Sequence, residues 1–448
     1  MIQFISYRSV LIVLLAFVLE GCAENKTYRS VFAPCSMPCE KSRNGSEAYS
    51  LQIQNKNTNS EYLLGFVEFD DQGQLRNRRQ MWTLIEYLSG IADKEGVLIN
   101  VFVHGWHHNA DPGSDYEDED ENVKGFKQIL GQLSEAQPQT NKRKVVGVYI
   151  GWRGDSIIIP GINNFTFWDR KNTAQEVGAL GVTELLLRLE AITHHRNEMQ
   201  AANKSRLVVI GHSFGGAVVY SATAQILLSR LIESQHDQAH ENEAHGHKAD
   251  SGALIESNTQ HTDGFGDLVV LLNPAFEALR YSPAFDMAQE GCKAGVAPRL
   301  AILTSETDYA TGILFQVGRA FNTVFETHNK LSRSDCTYPM TLDEGEADRN
   351  TVGHYEPLVS HSLTPFNHQK VSHIYNQSKT KFSWKQQTHG GQTQFGNTVL
   401  RHLQKSNPQS PFLNIKVSRE LMDGHNDIFN PDIRKFITSL IELSTVDK

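Results

Sequence analysis

Five apolar, β-branched runs recur along the chain, at Gly96–Val103, Lys144–Ile150, Leu207–Ile210, Asp267–Leu272 and Pro298–Thr304, with helix-patterned segments between most of them. Each is nearly continuous in Val, Ile and Leu instead of alternating with polar residues. That composition suits a strand covered on both faces. Buried strands joined through helices pair in parallel, and the helices pack on the sheet. The chain is therefore expected to be an α/β protein, a mostly parallel sheet with helices on both faces, and 448 residues are enough to bury a large core.

The third run ends in a tightly punctuated turn. Arg206-Leu-Val-Val-Ile-Gly211-His212-Ser213-Phe214-Gly215-Gly216 passes from strand composition into Ala217 through Leu231, which has helix composition. Gly211 and Gly215 bracket Ser213 in a G-x-S-x-G pattern, where side chains at the two glycine positions would collide with the neighbouring strand and helix as the backbone reverses. The serine is held in a strained conformation that projects its hydroxyl. The helix that follows directs amide N–H groups, and the positive end of its dipole, at charge developing on a nearby oxygen. Gly216 lets the helix pack close to the sheet. On these residues, in this strand–turn–helix setting, the chain resembles the α/β-hydrolase superfamily, in particular its serine esterases and lipases.

The resemblance covers about residues 60–330 and 405–445, and it implies a nucleophile, an acid and a histidine in that chain order. Ser213 matches the nucleophile. The strand Gly96–Val103 runs into His104-Gly105-Trp106-His107-His108, which resembles the superfamily's oxyanion loop; carried over, the backbone amides of Trp106 and Phe214 hold the oxyanion. The other reading of three histidines in five residues is a metal cluster. Ser305-Glu306-Thr307-Asp308 follows the strand ending at Thr304, where the superfamily places its acid; Asp308 is the expected acid and Glu306 the competing one. Phe412–Val417 reads as the last strand and Asp432–Leu443 as the final helix. The loop between them contains His425, the expected base among 19 histidines, with Gly424 allowing close backbone approach. The implied activity is hydrolysis of carboxylic esters, of small-molecule or lipid type, through an acyl-enzyme, with no cofactor and no metal. The reading from another class is a hydrolase-like binding protein of the cell envelope without turnover.

The flanking and inserted segments carry their own expectations. Arg8 precedes the apolar run Val10–Leu19, which is too short for a membrane helix and reads as a signal-peptide core over residues 1–22. Leu19-Glu20-Gly21-Cys22 resembles a bacterial lipobox, which implies export and anchoring to the cell envelope through a lipidated Cys22; the other reading is a plain secretory leader with an incidental cysteine. Cys35, Cys39, Cys292 and Cys336 remain, an even number suited to disulfides in an oxidising compartment, with the pairing open. Residues 23–60 read as a polar tether and irregular lead-in, and the resemblance implies an α/β-hydrolase domain over 61–448 with insertions at about 233–266 and 330–405. Asp115–Glu121 reads as a solvated acidic loop. Ile157–Trp168 reads as an apolar loop forming a pocket wall or small cap. Residues 233–266 read as a disordered insertion whose histidines, His236, His240, His245, His247 and His261, offer transition-metal binding as the alternative. Residues 330–405 match no pattern. A net charge of -9 without a Lys/Arg stripe argues against nucleic acid as a partner.

Overall fold

The computed structural model describes residues 26–39, 48–113, 119–138, 142–154, 167–199, 203–244, 264–289, 297–323, 326–335, 338–375, 387–403, 406–408 and 410–445. In chain order these form β1 (Val31–Ser36), β2 (Tyr49–Gln54), β3 (Tyr62–Glu68), α1 (Arg78–Ala92), β4 (Val97–Val103), α2 (Glu121–Glu135), β5 (Lys144–Gly151), α3 (Phe167–Val177) and α4 (Thr183–Glu198). There follow β6 (Arg206–His212), α5 (Phe214–Ala244), β7 (Leu268–Leu272), α6 (Ala278–Gln289), β8 (Leu300–Ser305), α7 (Phe315–Asn322), β9 (Lys330–Asp335), β10 (Tyr338–Asp343) and α8 (Glu344–Arg349). The chain ends in β11 (His361–Pro365), β12 (His373–Tyr375), β13 (Gln392–Phe395), β14 (Thr398–His402), β15 (Phe412–Val417) and α9 (Pro431–Thr445).

The five apolar runs are neighbours in one 13-stranded sheet of order β1-β2-β3-β5-β4-β6-β7-β8-β15-β11-β14-β13-β12, while β9 and β10 form a separate hairpin. From β3 through β11 every pairing is parallel. The α/β class and the largely parallel sheet are thus as the apolar runs predict. β4 shows why those runs do not alternate with polar residues. Val97, Ile99, Val101 and Val103 pack with Leu84 of α1, Leu185 of α4 and Val218 of α5. On the other face, Leu98 and Phe102 pack with Phe126 of α2 and Phe436 of α9. Burying each such side chain contributes about 1.5–3 kcal/mol, so the centre of the sheet carries much of the stability.

Several expectations give way to tertiary contacts. The stretch read as an irregular lead-in holds β1 and β2, added at one sheet edge, with β2 antiparallel to β3; Cys35 and Cys39 are joined by a disulfide there. Glu119, within the acidic run, is not solvated: it is 6% exposed and lies between Lys127, at 2.6 Å, and Arg29, at 3.3 Å. Those two cations offset the desolvation that like charge alone would forbid. Phe167 and Trp168, read as loop, open helix α3. The helix after Ser213 continues to Ala244 instead of stopping near Leu231, because the Glu, Gln and Ala of its last turns favour helix and no Gly or Pro interrupts them. The unassigned 330–405 segment supplies β11, which extends the parallel sheet beside β15, and β12 to β14 at its far edge. Cys22 and the leader, Ile157–Pro160, His245, His247, His261, Cys292 and Cys336 lie outside the described residues.

The strand order also fixes where a site can form. From β4 the chain steps to β5 on one side, then crosses back to β6 on the other, so the connections diverge between β4 and β6. A crevice opens at the carboxyl ends of such a strand pair. Val103 lies beside Gly211, the last register pair between them, which sets His104 and Gly105 against His212 and Ser213.

Candidate active site

Ser213 sits at the carboxyl end of β6 with φ of 55°, a left-handed conformation uncommon outside glycine. The glycines around it are dictated by space. A Cβ on Gly211 would come within 2.6 Å of the Gly215 carbonyl, and one on Gly215 would fall on the carbonyls of Val103 and His104. Gly105 is equally confined, since a Cβ there would lie 2.7 Å from that of Ser213. Backbone bonds from Ser213 N–H to Leu272 O, 2.9 Å, and from Ala275 N–H to Ser213 O, 3.1 Å, tie the turn to β7 and the loop after it.

The structure brings Ser213, His425 and Asp308 together from three separate loops. His425 Nε2 lies 2.8 Å from Ser213 Oγ, and His425 Nδ1 lies 2.9 Å from Asp308 Oδ2. The carboxylate only accepts, so Nδ1 carries the proton and Nε2 offers its lone pair to the serine hydroxyl. Asp308 is buried and accepts further bonds from the Thr311 amide, 3.2 Å, and the Thr311 hydroxyl. Burial works to raise the Asp308 carboxyl, but His425 and the hydrogen bonds from His425 and Thr311 outweigh it and hold the group below its ordinary value. Glu306 is exposed and accepts from the Arg419 amide at 2.9 Å.

Four residues without an assigned role in the sequence reading position this array. The His425 carbonyl accepts from Asn273 Nδ2 at 2.8 Å and from His212 Nε2 at 3.0 Å. Asn273 also receives the Ser305 amide on Oδ1 at 2.9 Å, so one buried side chain couples the loop of His425 to the strand leading to Asp308. Its φ of 44° is a conformation that Asn tolerates better than most residues, and the Asn-Pro pair after β7 was its only local signal. Burial, reinforced by the neighbouring His425 and His108, pushes His212 well below 6.5, so it serves as a neutral donor. From the 330–405 segment, His354 Nε2 meets Thr311 Oγ1 at 3.1 Å, behind Asp308. Gly424 differs from expectation: nothing lies within 4 Å of a Cβ placed there, and its φ of 91° shows that conformation, not close approach, calls for glycine.

The loop after β4 lies against the serine, with Trp106 beside Phe214 at a ring separation of 6.4 Å. Phe214 is the first residue of α5, so its amide belongs to the first turn and points out along the helix axis. His104 anchors the loop. It is fully buried, its Nδ1 donates to the Gly105 carbonyl at 2.9 Å, and its Nε2 accepts from the Trp152 amide at 3.0 Å. The exit of β5 is thereby held at the same sheet edge as Ser213. His108 pairs with Asp120 at 3.0 Å and His107 stacks on Trp106. Among the described residues, these histidines do not gather into a group of possible metal ligands.

A pH dependence of stability arises here. Burial lowers His104 from 6.5 to about 4, and buried His212 and His361 are also lowered. As pH falls from 6.5 towards 4, the unfolded chain takes up protons that the folded protein refuses, so stability present above 6.5 is lost through this window. His104 alone accounts for about 3 kcal/mol of it. The urea midpoint is expected to be clearly lower at about pH 4.5 than at about pH 7; equal midpoints would contradict buried neutral histidines.

Compared with family models, curated proteins and solved structures, the chain matches none.

Proposed function

We propose that this chain is a serine hydrolase of carboxylic esters, built as an α/β-hydrolase and working through an acyl-enzyme. The observation that carries the reading is the continuous hydrogen-bonded line Ser213 Oγ, His425 Nε2, His425 Nδ1, Asp308 Oδ2, with both spacings below 3 Å. A buried carboxylate behind an imidazole that faces a strained serine is the arrangement that activates a hydroxyl.

In the proposed reaction Ser213 Oγ attacks the ester carbonyl carbon while His425 Nε2 takes its proton. The tetrahedral oxyanion is received by the amides of Trp106 and Phe214. His425 then protonates the leaving alcohol, and the C–O bond to it breaks. Water, deprotonated by the same histidine, cleaves the acyl-serine and restores the enzyme. Asp308 keeps the imidazole in the required tautomer and stabilises its protonated form. Tyr309, Ile313, Leu314 and Val317, exposed on the turn and helix that follow Asp308, favour a substrate with an apolar acyl chain. Export and lipid anchoring through Cys22 belong to the same proposal and rest on the leader sequence.

The direct test is a fluorophosphonate probe. Folded protein is expected to take up one probe per chain, and peptide mass spectrometry to place it on Ser213. A folded protein that takes no label, and that hydrolyses neither a short nor a long p-nitrophenyl ester, would favour the envelope binding protein without turnover.

A further inference from the structure

We propose that Glu326, His328 and Asp348 bind one divalent cation of the zinc type, which clips together the two ends of the segment behind the acid. Glu326 and His328 follow α7, and Asp348 lies in α8. One ligand atom from each falls within 4.8 Å of the others. His328 Nε2 is 3.8 Å from Asp348 Oδ2 and 3.9 Å from Glu326 Oε2.

Those separations are too long for hydrogen bonds, so the three groups face a common point without satisfying one another. The Asp348 side chain is 5% exposed. Its Oδ1 is held by Arg319 at 2.7 Å, which leaves Oδ2 turned towards His328. Among the described residues, His328 Nε2 and Asp348 Oδ2 are both buried and neither has a hydrogen-bond partner. Two buried polar atoms that meet only across a gap are costly unless something between them supplies the missing interaction. A cation with bonds of about 2.0–2.2 Å fits between atoms this far apart after a small closure of the side chains. One imidazole and two carboxylates form a donor set for zinc or a similar first-row divalent ion, and Arg319 acts as the outer partner that orients a ligating carboxylate. Glu326 is half exposed, which leaves a side open for water as the remaining ligand.

The place of the site in the fold assigns it a structural role. The loop of His328 is fastened to α8 by the Asn329 amide on Glu344 at 2.7 Å and the Glu344 amide on the Asn329 carbonyl at 3.0 Å. Just beyond α8, Thr351 donates to the Thr311 carbonyl at 3.2 Å, and Thr311 in turn bonds Asp308. A cation at this point would stiffen the wall that supports the acid. Binding itself does not depend on the hydrolase reading.

The test uses the full chain, stripped with a chelator, equilibrated with zinc chloride and analysed for bound metal. The histidines between 236 and 261 are a second place for zinc, so the quantity read is the difference between parent and variant. Glu326→Gln and His328→Gln are each expected to bind one equivalent fewer than the parent, and zinc is expected to raise the thermal midpoint of the parent by more than that of either variant. Glu326 is exposed enough that its replacement leaves the fold intact. Equal zinc content in the parent and in Glu326→Gln, or no zinc bound by the parent, would overturn the assignment.

Discussion

Ser213→Ala is expected to lower kcat/KM for an ester by at least about 10⁴-fold, and His425→Ala by a similar amount. The serine hydroxyl is the atom that would become covalently bonded, and its hydrogen bond is to His425 at 2.8 Å. Without it, only binding and the proposed oxyanion amides would remain to assist attack by water, which would account for a residual rate rather than turnover through an acyl-enzyme. Neither replacement empties a core position of large volume, so thermal midpoints should stay close to the parent's. The double variant is the more informative measurement. If the two side chains act as one unit, removing both costs no more than removing the worse one alone. A double variant whose loss is the product of the single losses would mean that serine and histidine act independently, and the proposed proton transfer between them would not hold.

The parts of this molecule that could be read from sequence are those in which local composition and tertiary environment demand the same thing. β4, β5, β6, β7 and β8 are buried on both faces and therefore continuous in apolar residues, so their composition announced them. Ser213 was legible because the turn that holds it excludes side chains at Gly211 and Gly215, a constraint visible in the letters themselves. The positioning residues were not legible for the opposite reason. Asn273 reaches the His425 carbonyl across 152 positions, and His212 reaches it across 213, so no local pattern records either bond. β1, whose Val-Phe-Ala-Pro-Cys-Ser has weak strand composition, owes its conformation to its partner β2. Glu119 looked solvated because the cation that helps to bury it, Arg29, comes from 90 residues away.

The proposed acid is where sequence left two residues open, and the two replacements that separate them have very different expected effects. Asp308→Asn is expected to reduce kcat by roughly 10⁴-fold with little change in folding. The carboxylate accepts from His425 Nδ1 and so leaves Nε2 unprotonated towards Ser213; an amide in its place can turn its NH₂ to Nδ1, which moves the proton to Nε2 and removes the base. Asp308 also has two bonds from Thr311, and asparagine can keep part of that set. Glu306→Gln, by contrast, is expected to change kcat by no more than a few-fold. Its carboxylate is exposed and occupied by the Arg419 amide, an acceptor role that a glutamine oxygen also fills. Measuring kcat for both variants on one ester decides the matter: a large loss in Glu306→Gln with near-parent activity in Asp308→Asn would move the acid two residues back along the chain and require a different orientation of His425.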